Sequence, residues 1–406
     1  MTGPDGSRVE NRQFSKSGGG SSRPIIFATF LREEGETGVQ SHMRVFREYL
    51  QGKGRSVRVI TPFSAPRPLV YPLFAVRRVI DPLSGPLSVW WYRYWHYLFL
   101  RLALRMELGG GGEVTVYAQC PLSARASLEA RKGGGQKVVM AVHFNGSQAL
   151  EWAEKGRIRE NGHYYKRMRE LEKMVLTSLD GIVFVSRFMR DVLERDIPGI
   201  SGVPAAVVPN FTFPPRLIDG DQPRGDLVSI GTLEPRKNQG FLLRVVAAAL
   251  RRGRMYSLTL IGDGPDRASL ASLATDLGIG GQVRFLGYRP DAASLLSGHR
   301  IYVHGAAVEN LPMALIEALA SALPIAAAPV GGVREIFSDG VEGIYWRLTD
   351  PDAAAVALIG LLEDEGRYRA ASRAAVERFQ SCFSVESTAA ELEDFLFSVS
   401  AGPGRN

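Results

Sequence analysis

Two glutamates, Glu309 and Glu317, stand eight positions apart in His304-Gly305-Ala306-Ala307-Val308-Glu309-Asn310-Leu311-Pro312-Met313-Ala314-Leu315-Ile316-Glu317. Ahead of them, Arg300-Ile301-Tyr302-Val303 is short, apolar and partly β-branched, the pattern of a buried parallel strand. From Pro312 on, the chain is rich in Ala, Leu and Met and reads as a helix with proline at its first position, where no backbone N–H is needed. Glu309 therefore falls in a strand-to-helix loop. Glu317 falls inside the helix, about 7.5 Å further along its axis. A helix N-terminus attracts phosphate. A carboxylate on either side of it suits the two hydroxyl-bearing ends of a nucleotide diphosphate sugar. The plainer alternative is an amphipathic helix with two solvated glutamates.

Other segments favour the chemical reading. Arg236 and Lys237 follow the strand pattern Leu227–Ile230. Two adjacent cations at a strand end neutralise a pyrophosphate and stabilise the charge that builds on a departing one. Gly262-Asp263-Gly264-Pro265 supplies a sharp turn after another strand. His143 ends the apolar run Lys137–Val142 and is a candidate substrate contact, and Gly38 precedes a helical pattern through Met43, Phe46 and Leu50.

The 406-residue chain suits two domains of ordinary size, and 45% apolar with 22% charged residues fits real cores. Cys120 and Cys382 are the only cysteines, so a disulfide framework is excluded and a reducing cytoplasm is the simplest compartment. No His or Cys spacing suggests a metal site. The net charge of +7 admits nucleic acid, an anionic membrane surface or an anionic substrate. No nucleic-acid-binding motif accompanies it, which leaves the last two.

Strand and helix patterns alternate throughout, which implies parallel βαβ units. Polar, glycine-rich 1–23 reads as a disordered tail. The series runs over 24–215, restarts over 216–380, and ends in a helix over 381–406. Prolines 204, 209, 214, 215 and 223 mark a hinge between the halves. Two doubly wound Rossmann-like domains facing across a cleft place a ligand at the strand ends.

The Glu309–Glu317 spacing resembles the E-x7-E signature of retaining glycosyltransferases of family 4, which have the GT-B fold. Ile230–Asn238, Leu260–Pro265, Phe285–Tyr288, Val330–Glu335, Asp339–Gly343, Thr37–His42, Ala141–Asn145, Val185–Phe188 and Val208–Phe211 are similar to further segments of that family. The chain departs from it at Thr232, where many members carry Arg, and at Val39, where a second glycine is common. The resemblance implies a metal-independent hexosyltransferase needing no cofactor beyond a nucleotide diphosphate sugar, with GDP-mannose as the first expected donor. It implies catalytic roles for His143, Arg236, Lys237 and Glu309. Donor binding would fall to Gly38, Arg236, Lys237, Tyr288, Glu309, Asn310, Leu311, Pro312, Met313 and Glu317. Within that set, Glu309 would hold the sugar and Glu317 the ribose. The rival readings are a nucleotide-sugar 2-epimerase, for which no added acid/base motif is present, and a non-catalytic scaffold, against which the intact charged set argues.

Residues 64–106 carry Arg67, Arg77, Arg78, Arg93, Arg101 and Arg105 against the single acid Asp81, together with Trp90, Trp91 and Trp95. If 88–107 is a helix, the spacing predicts one basic face from Arg93, Arg101 and Arg105, suited to anionic headgroups. The competing expectation is a helix packed on the first sheet. A glycan acceptor on a lipid diphosphate, with the protein peripheral at a bacterial inner membrane and building a surface polysaccharide, would use both.

Overall fold

The computed structural model describes residues 23–401 apart from 34, 36 and 216–223. The expected tail, Arg23 excepted, and the later part of the proline hinge lie outside these residues. The first sheet holds β1 (Ile25–Ala28), β2 (Val57–Ile60), β3 (Val114–Ala118), β4 (Gln136–Val142), β5 (Gly181–Phe184) and β6 (Ala205–Val207). Its order is β2-β1-β3-β4-β5-β6, all parallel. The second holds β7 (Gly225–Ile230), β8 (Leu258–Ile261), β9 (Val283–Gly287), β10 (His299–His304), β11 (Ile325–Ala327) and β12 (Gly343–Tyr345). Its order is β12-β11-β10-β7-β8-β9, again parallel.

Helices cover both faces, which is why the inner strands read as unbroken apolar runs. Around the first sheet run α1 (Gly38–Gly52), α2 (Arg67–Ile80), α3 (Gly85–Glu107), α4 (Pro121–Ala130), α5 (Gln148–Glu154), α6 (His163–Leu176) and α7 (Arg187–Asp196). Around the second run α8 (Gln239–Arg251), α9 (Arg267–Asp276), α10 (Met313–Ala320), α11 (Val333–Ile336), α12 (Pro351–Glu363) and α13 (Glu365–Cys382). The last helix, α14 (Val385–Ala401), returns to the first sheet. There Val385, Ala389, Leu392 and Leu396 join Ile25, Phe27 and Val139 in one core.

The order in which successive strands join the second sheet reverses between β7 and β10, which are hydrogen-bonded parallel neighbours. Loops leaving the carboxyl ends of strands at such a switch point diverge and open a crevice. The loop after β7 carries Arg236 and Lys237, and the loop after β10 carries Glu309.

The basic-face expectation for α3 fails. Arg93 is buried and reaches Gln148 of α5, while Arg101 pairs with Glu129 of α4. At about 100° per residue, positions twelve apart differ by about 120°, so Arg93 and Arg105 cannot share one face. Only Arg105 of the three is exposed. The α2 helix is masked in the sequence by Pro68 and Pro72, and by an apolar outer side that removes the usual amphipathic signal. Pro312 caps α10 rather than opening it.

Candidate active site

Glu309 is buried at 5% exposure in the β10–α10 loop. Its Oε1 accepts from Lys237 Nζ and lies 3.2 Å from His304 Nε2. Burial alone raises a carboxyl, but here the Lys237 ammonium and His304 more than offset it and hold Glu309 well below the usual carboxylate range. Arg236 donates to Glu234 at 2.9 Å. Burial pulls its pKa down, and the Glu309 and Glu234 carboxylates outweigh that and raise it. Two cations, Arg236 and Lys237, and two carboxylates, Glu234 and Glu309, therefore meet at the switch point. The short helical turn Pro235–Lys237, closed by Asn238 in the left-handed region at φ 51°, presents the cations.

Glu317 sits one helical turn into α10 in a different environment. Burial pushes its carboxyl up to about 7, and Arg44 of α1 offsets this only in part. Here α1 lies against α10: a Cβ added to Gly38 would meet Met313 Cγ at 3.3 Å. Leu311 and Met313 are buried at the start of α10, whereas Tyr288 is exposed just past β9.

The Glu309 loop is clamped from both units. Asn310 Nδ2 donates to Val142 O at 3.0 Å and Phe144 O at 3.2 Å, and its Oδ1 accepts from Ser186 Oγ at 2.6 Å. The Asn310 side chain is thus committed to joining the units. Ser186 also caps α7 through Met189 N. Asn210 Nδ2 donates to Leu311 O at 2.8 Å. Glu335 accepts from Arg187 N and Phe188 N at the start of α7. Gly331, at φ 52°, and Gly332 pass so close to the Glu309 and Asn310 carbonyls that a side chain at either would collide with them.

His143 lies at the end of β4, within the first unit's side of this junction. Its Nε2 is 3.1 Å from Gln119 Oε1, and Gln119 Nε2 donates to Tyr117 O at 3.2 Å. The second bond fixes the Gln119 amide with its oxygen toward the histidine. His143 must therefore carry its proton on Nε2, leaving Nδ1 as an acceptor. Burial pulls its pKa down to about 4, so the ring is neutral near pH 7. The buried His42 ring packs on His143 at 5.0 Å between centroids. Among the described residues, three buried atoms at or beside this junction lack a hydrogen-bond partner: His42 Nδ1, Asn145 Oδ1 and Asn210 Oδ1. Each such group costs about 1–3 kcal/mol unless a ligand or water meets it.

Sequence reading missed Gln119, Glu151 and the bridging role of Asn310. Glu151 of α5 accepts from Asn145 N at 3.2 Å and acts electrostatically on Arg236. Burial raises its carboxyl, partly offset by that Asn145 N–H and the charges of Lys155 and Arg236. Nothing in spacing brings Gln119 to His143 or Glu151 to Arg236, because the first pair joins two strand ends and the second joins α5 of one unit to the loop after β7 of the other. The sequence did foretell Glu309 in the loop, Glu317 in the helix, and Arg236 and Lys237 after a strand end, but not the contact of Lys237 with Glu309.

Two parallel units, each with helices on both faces of its sheet, and a cationic loop at the switch point of the second define a two-unit doubly wound α/β protein. The comparisons with known proteins agree. The model of glycosyl transferases group 1 matches residues 218–378, and that of glycosyltransferase family 4 matches 37–212. The chain belongs to family 4 of the glycosyltransferases. It is 31% identical to the lipopolysaccharide core biosynthesis glycosyltransferase LpsE of Rhizobium meliloti over 41% of this chain and 50% of that one. It is 28% identical to the GDP-mannose-dependent alpha-(1-6)-phosphatidylinositol monomannoside mannosyltransferase of Mycolicibacterium smegmatis, over 62% of this chain and 67% of that one. The chain thus spans about half the length of the first relative and two thirds of the second. Sucrose-phosphate synthase from Thermosynechococcus elongatus shares the fold, with a TM-score of 0.71 at 18% identity over 94% of this chain and 100% of that one.

Proposed function

We propose that the protein transfers a hexose, with mannose from GDP-mannose as the first candidate, to a glycan acceptor with retention of anomeric configuration. The observation that carries this reading is the cluster at the switch point. Lys237 and Arg236 stand beside buried Glu309, with the start of α10 and Glu317 just beyond.

In this reading the diphosphate lies over Arg236, Lys237 and the N-terminal end of α10, whose dipole adds to their field. Those cations take up the charge that grows on the leaving phosphate, in place of a metal ion. Glu309, kept ionised, accepts from hydroxyls of the transferred sugar. Glu317 accepts from the ribose, and Gly38 and the backbone beside Tyr288 border the donor. His143 Nδ1 accepts from a further sugar hydroxyl. The acceptor hydroxyl attacks from the leaving-group face, and the departing phosphate takes its proton.

The mannosyltransferase relative supports a GDP-linked donor and a lipid acceptor. The acceptor proposed is a lipid-linked glycan in polysaccharide synthesis, met at the cytoplasmic face of a bacterial inner membrane. Incubation with a panel of GDP-, UDP- and dTDP-sugars, with release of nucleotide as the readout, tests the reading. Release from one donor, dependent on acceptor and unchanged by EDTA, is expected. No release from any donor, or an absolute need for Mg²⁺ or Mn²⁺, would contradict it.

A further inference from the structure

The outer side of α2 and α3 is apolar where a surface helix should be polar. Leu69, Tyr71, Val76 and Val79 on α2 are exposed, Val79 at 66%. Leu83, at 78%, continues the patch across the connection into Leu87, Trp90 and Tyr94 on α3. The positions 87, 90 and 94 recur at helical spacing, so they form one stripe. Further along α3, Leu102, Arg105 and Met106 extend that exposed side.

The exposed charges within this face are cationic, and the acid that ends α3, Glu107, is paired with Arg58. Arg78 and Arg105 are exposed within it. The only acid between 61 and 106 is Asp81, and it is already engaged by Arg157 at 3.1 Å and by Ser88. The indoles and phenol rings are fixed beneath and beside it. Trp90 stacks on Tyr94, and Trp91 donates to Leu73 O, tying α3 to α2. Among the described residues no helix is long and apolar enough to cross a membrane.

We infer that this α2–α3 face docks on an anionic lipid surface, with Leu69, Val76, Val79, Leu83 and Trp90 entering the headgroup–acyl boundary and Arg78 and Arg105 meeting lipid phosphates. A large apolar patch signals an interaction, and apolar side chains with interfacial aromatics and cations match the layered chemistry of a bilayer surface. A second copy of the chain fits less well. Self-pairing would press arginines of both copies together with no acid free in the patch to neutralise them. The attachment proposed here differs from a purely electrostatic one, because Arg93 and Arg101 are used inside the protein. It deepens the lipid-linked acceptor proposed above and rests on that reading for its purpose, while lipid binding itself is measured without any sugar.

The test is co-sedimentation of the full chain with vesicles of phosphatidylcholine alone and of phosphatidylcholine with phosphatidylglycerol. The variants are Val79→Asp with Leu83→Asp, Arg78→Gln with Arg105→Gln, and Val356→Asp as an exposed control in the second unit. Circular-dichroism melts verify folding, and sedimentation velocity without lipid reports the oligomeric state. Expected are binding of wild type and control to anionic vesicles, a loss of tenfold or more in the aspartate variant, and a smaller loss, greatest at low salt, in the glutamine variant. Brominated acyl chains should quench tryptophan emission in wild type. Failure of wild type to sediment with anionic vesicles, equal binding by the aspartate variant, or a lipid-free oligomer that the aspartate variant dissolves would overturn the inference. If vesicle binding holds while no donor is turned over, the docking stands and the transferase reading falls.

Discussion

Glu309 and Glu317 are the same residue type on one loop-helix segment, yet their surroundings drive them apart. Glu309 is buried against Lys237 and His304 and stays ionised. Glu317 is desolvated, Arg44 offsets only part of that cost, and its carboxyl rises to about 7. Burial costs a charge in both places; the partner decides the outcome. A pre-ionised acceptor suits a sugar whose hydroxyls must be held during chemistry. A carboxyl that loses its proton when a diol arrives suits recognition of a nucleotide.

The largest expected effect comes from breaking the compensated site. Lys237→Ala removes a cation proposed to meet the leaving diphosphate and takes from Glu309 its closest charged partner. Loss of one such preorganised electrostatic group costs about 10²–10³ in kcat. Because a buried anion loses its partner, stability should also fall, by about 3–5 kcal/mol. Glu309→Gln should abolish transfer at a smaller stability cost, because it removes the anion itself. Turnover measured beside a thermal melt checks both, and near-normal turnover in a folded variant would remove these residues from the mechanism.

Glu317 sharpens the comparison through pH. Its folded-state pKa lies above the ordinary 4.5, so its contribution to stability is full below about pH 4.5 and is lost as pH rises through about 7. The ligand-free protein should therefore lose melting temperature from pH 5 to pH 8 more steeply than Glu317→Gln does. If the nucleotide binds the ionised form, its binding near pH 7 should release a proton. Calorimetry in buffers of different ionisation enthalpy should show that release in wild type and not in Glu317→Gln. Identical pH slopes in the two proteins would mean the carboxyl is not desolvated.

Smaller effects are expected at the positioning residues. Gln119→Leu frees the His143 tautomer, and ¹⁵N spectra should then show both neutral forms where wild type shows only Nε2–H. Turnover should drop about tenfold, within the range for one neutral hydrogen bond to substrate. Asn310→Ala unties the loop from Val142, Phe144 and Ser186 and should cost about 1–3 kcal/mol.

The legible parts of the sequence were those where one local pattern decides the outcome. The apolar run ending at Val303 and the Ala/Leu-rich run after Pro312 were enough to place Glu309 in a loop and Glu317 in a helix. Arg236 and Lys237 fell at a strand end for the same reason. What stayed hidden depends on pairs distant in sequence. Asn310 reads as a donor-site residue until β4 and α7 are seen to claim its side chain. Arg93 reads as a surface cation because its neighbours on α5 and α6 lie more than fifty positions away. The α2 helix escaped notice because its outer face is apolar, the opposite of what periodicity arguments seek.

The most direct measurement compares affinities for a free nucleoside diphosphate and for the matching nucleotide sugar in Glu309→Gln and Glu317→Gln. Glu317→Gln should weaken both ligands about tenfold, whereas Glu309→Gln should weaken only the nucleotide sugar, as expected when one charged hydrogen bond of about 1.5–3 kcal/mol is lost from one end of the donor. If Glu309→Gln weakens the free diphosphate as much as Glu317→Gln does, or Glu317→Gln leaves both unchanged, the two glutamates do not divide the donor between them.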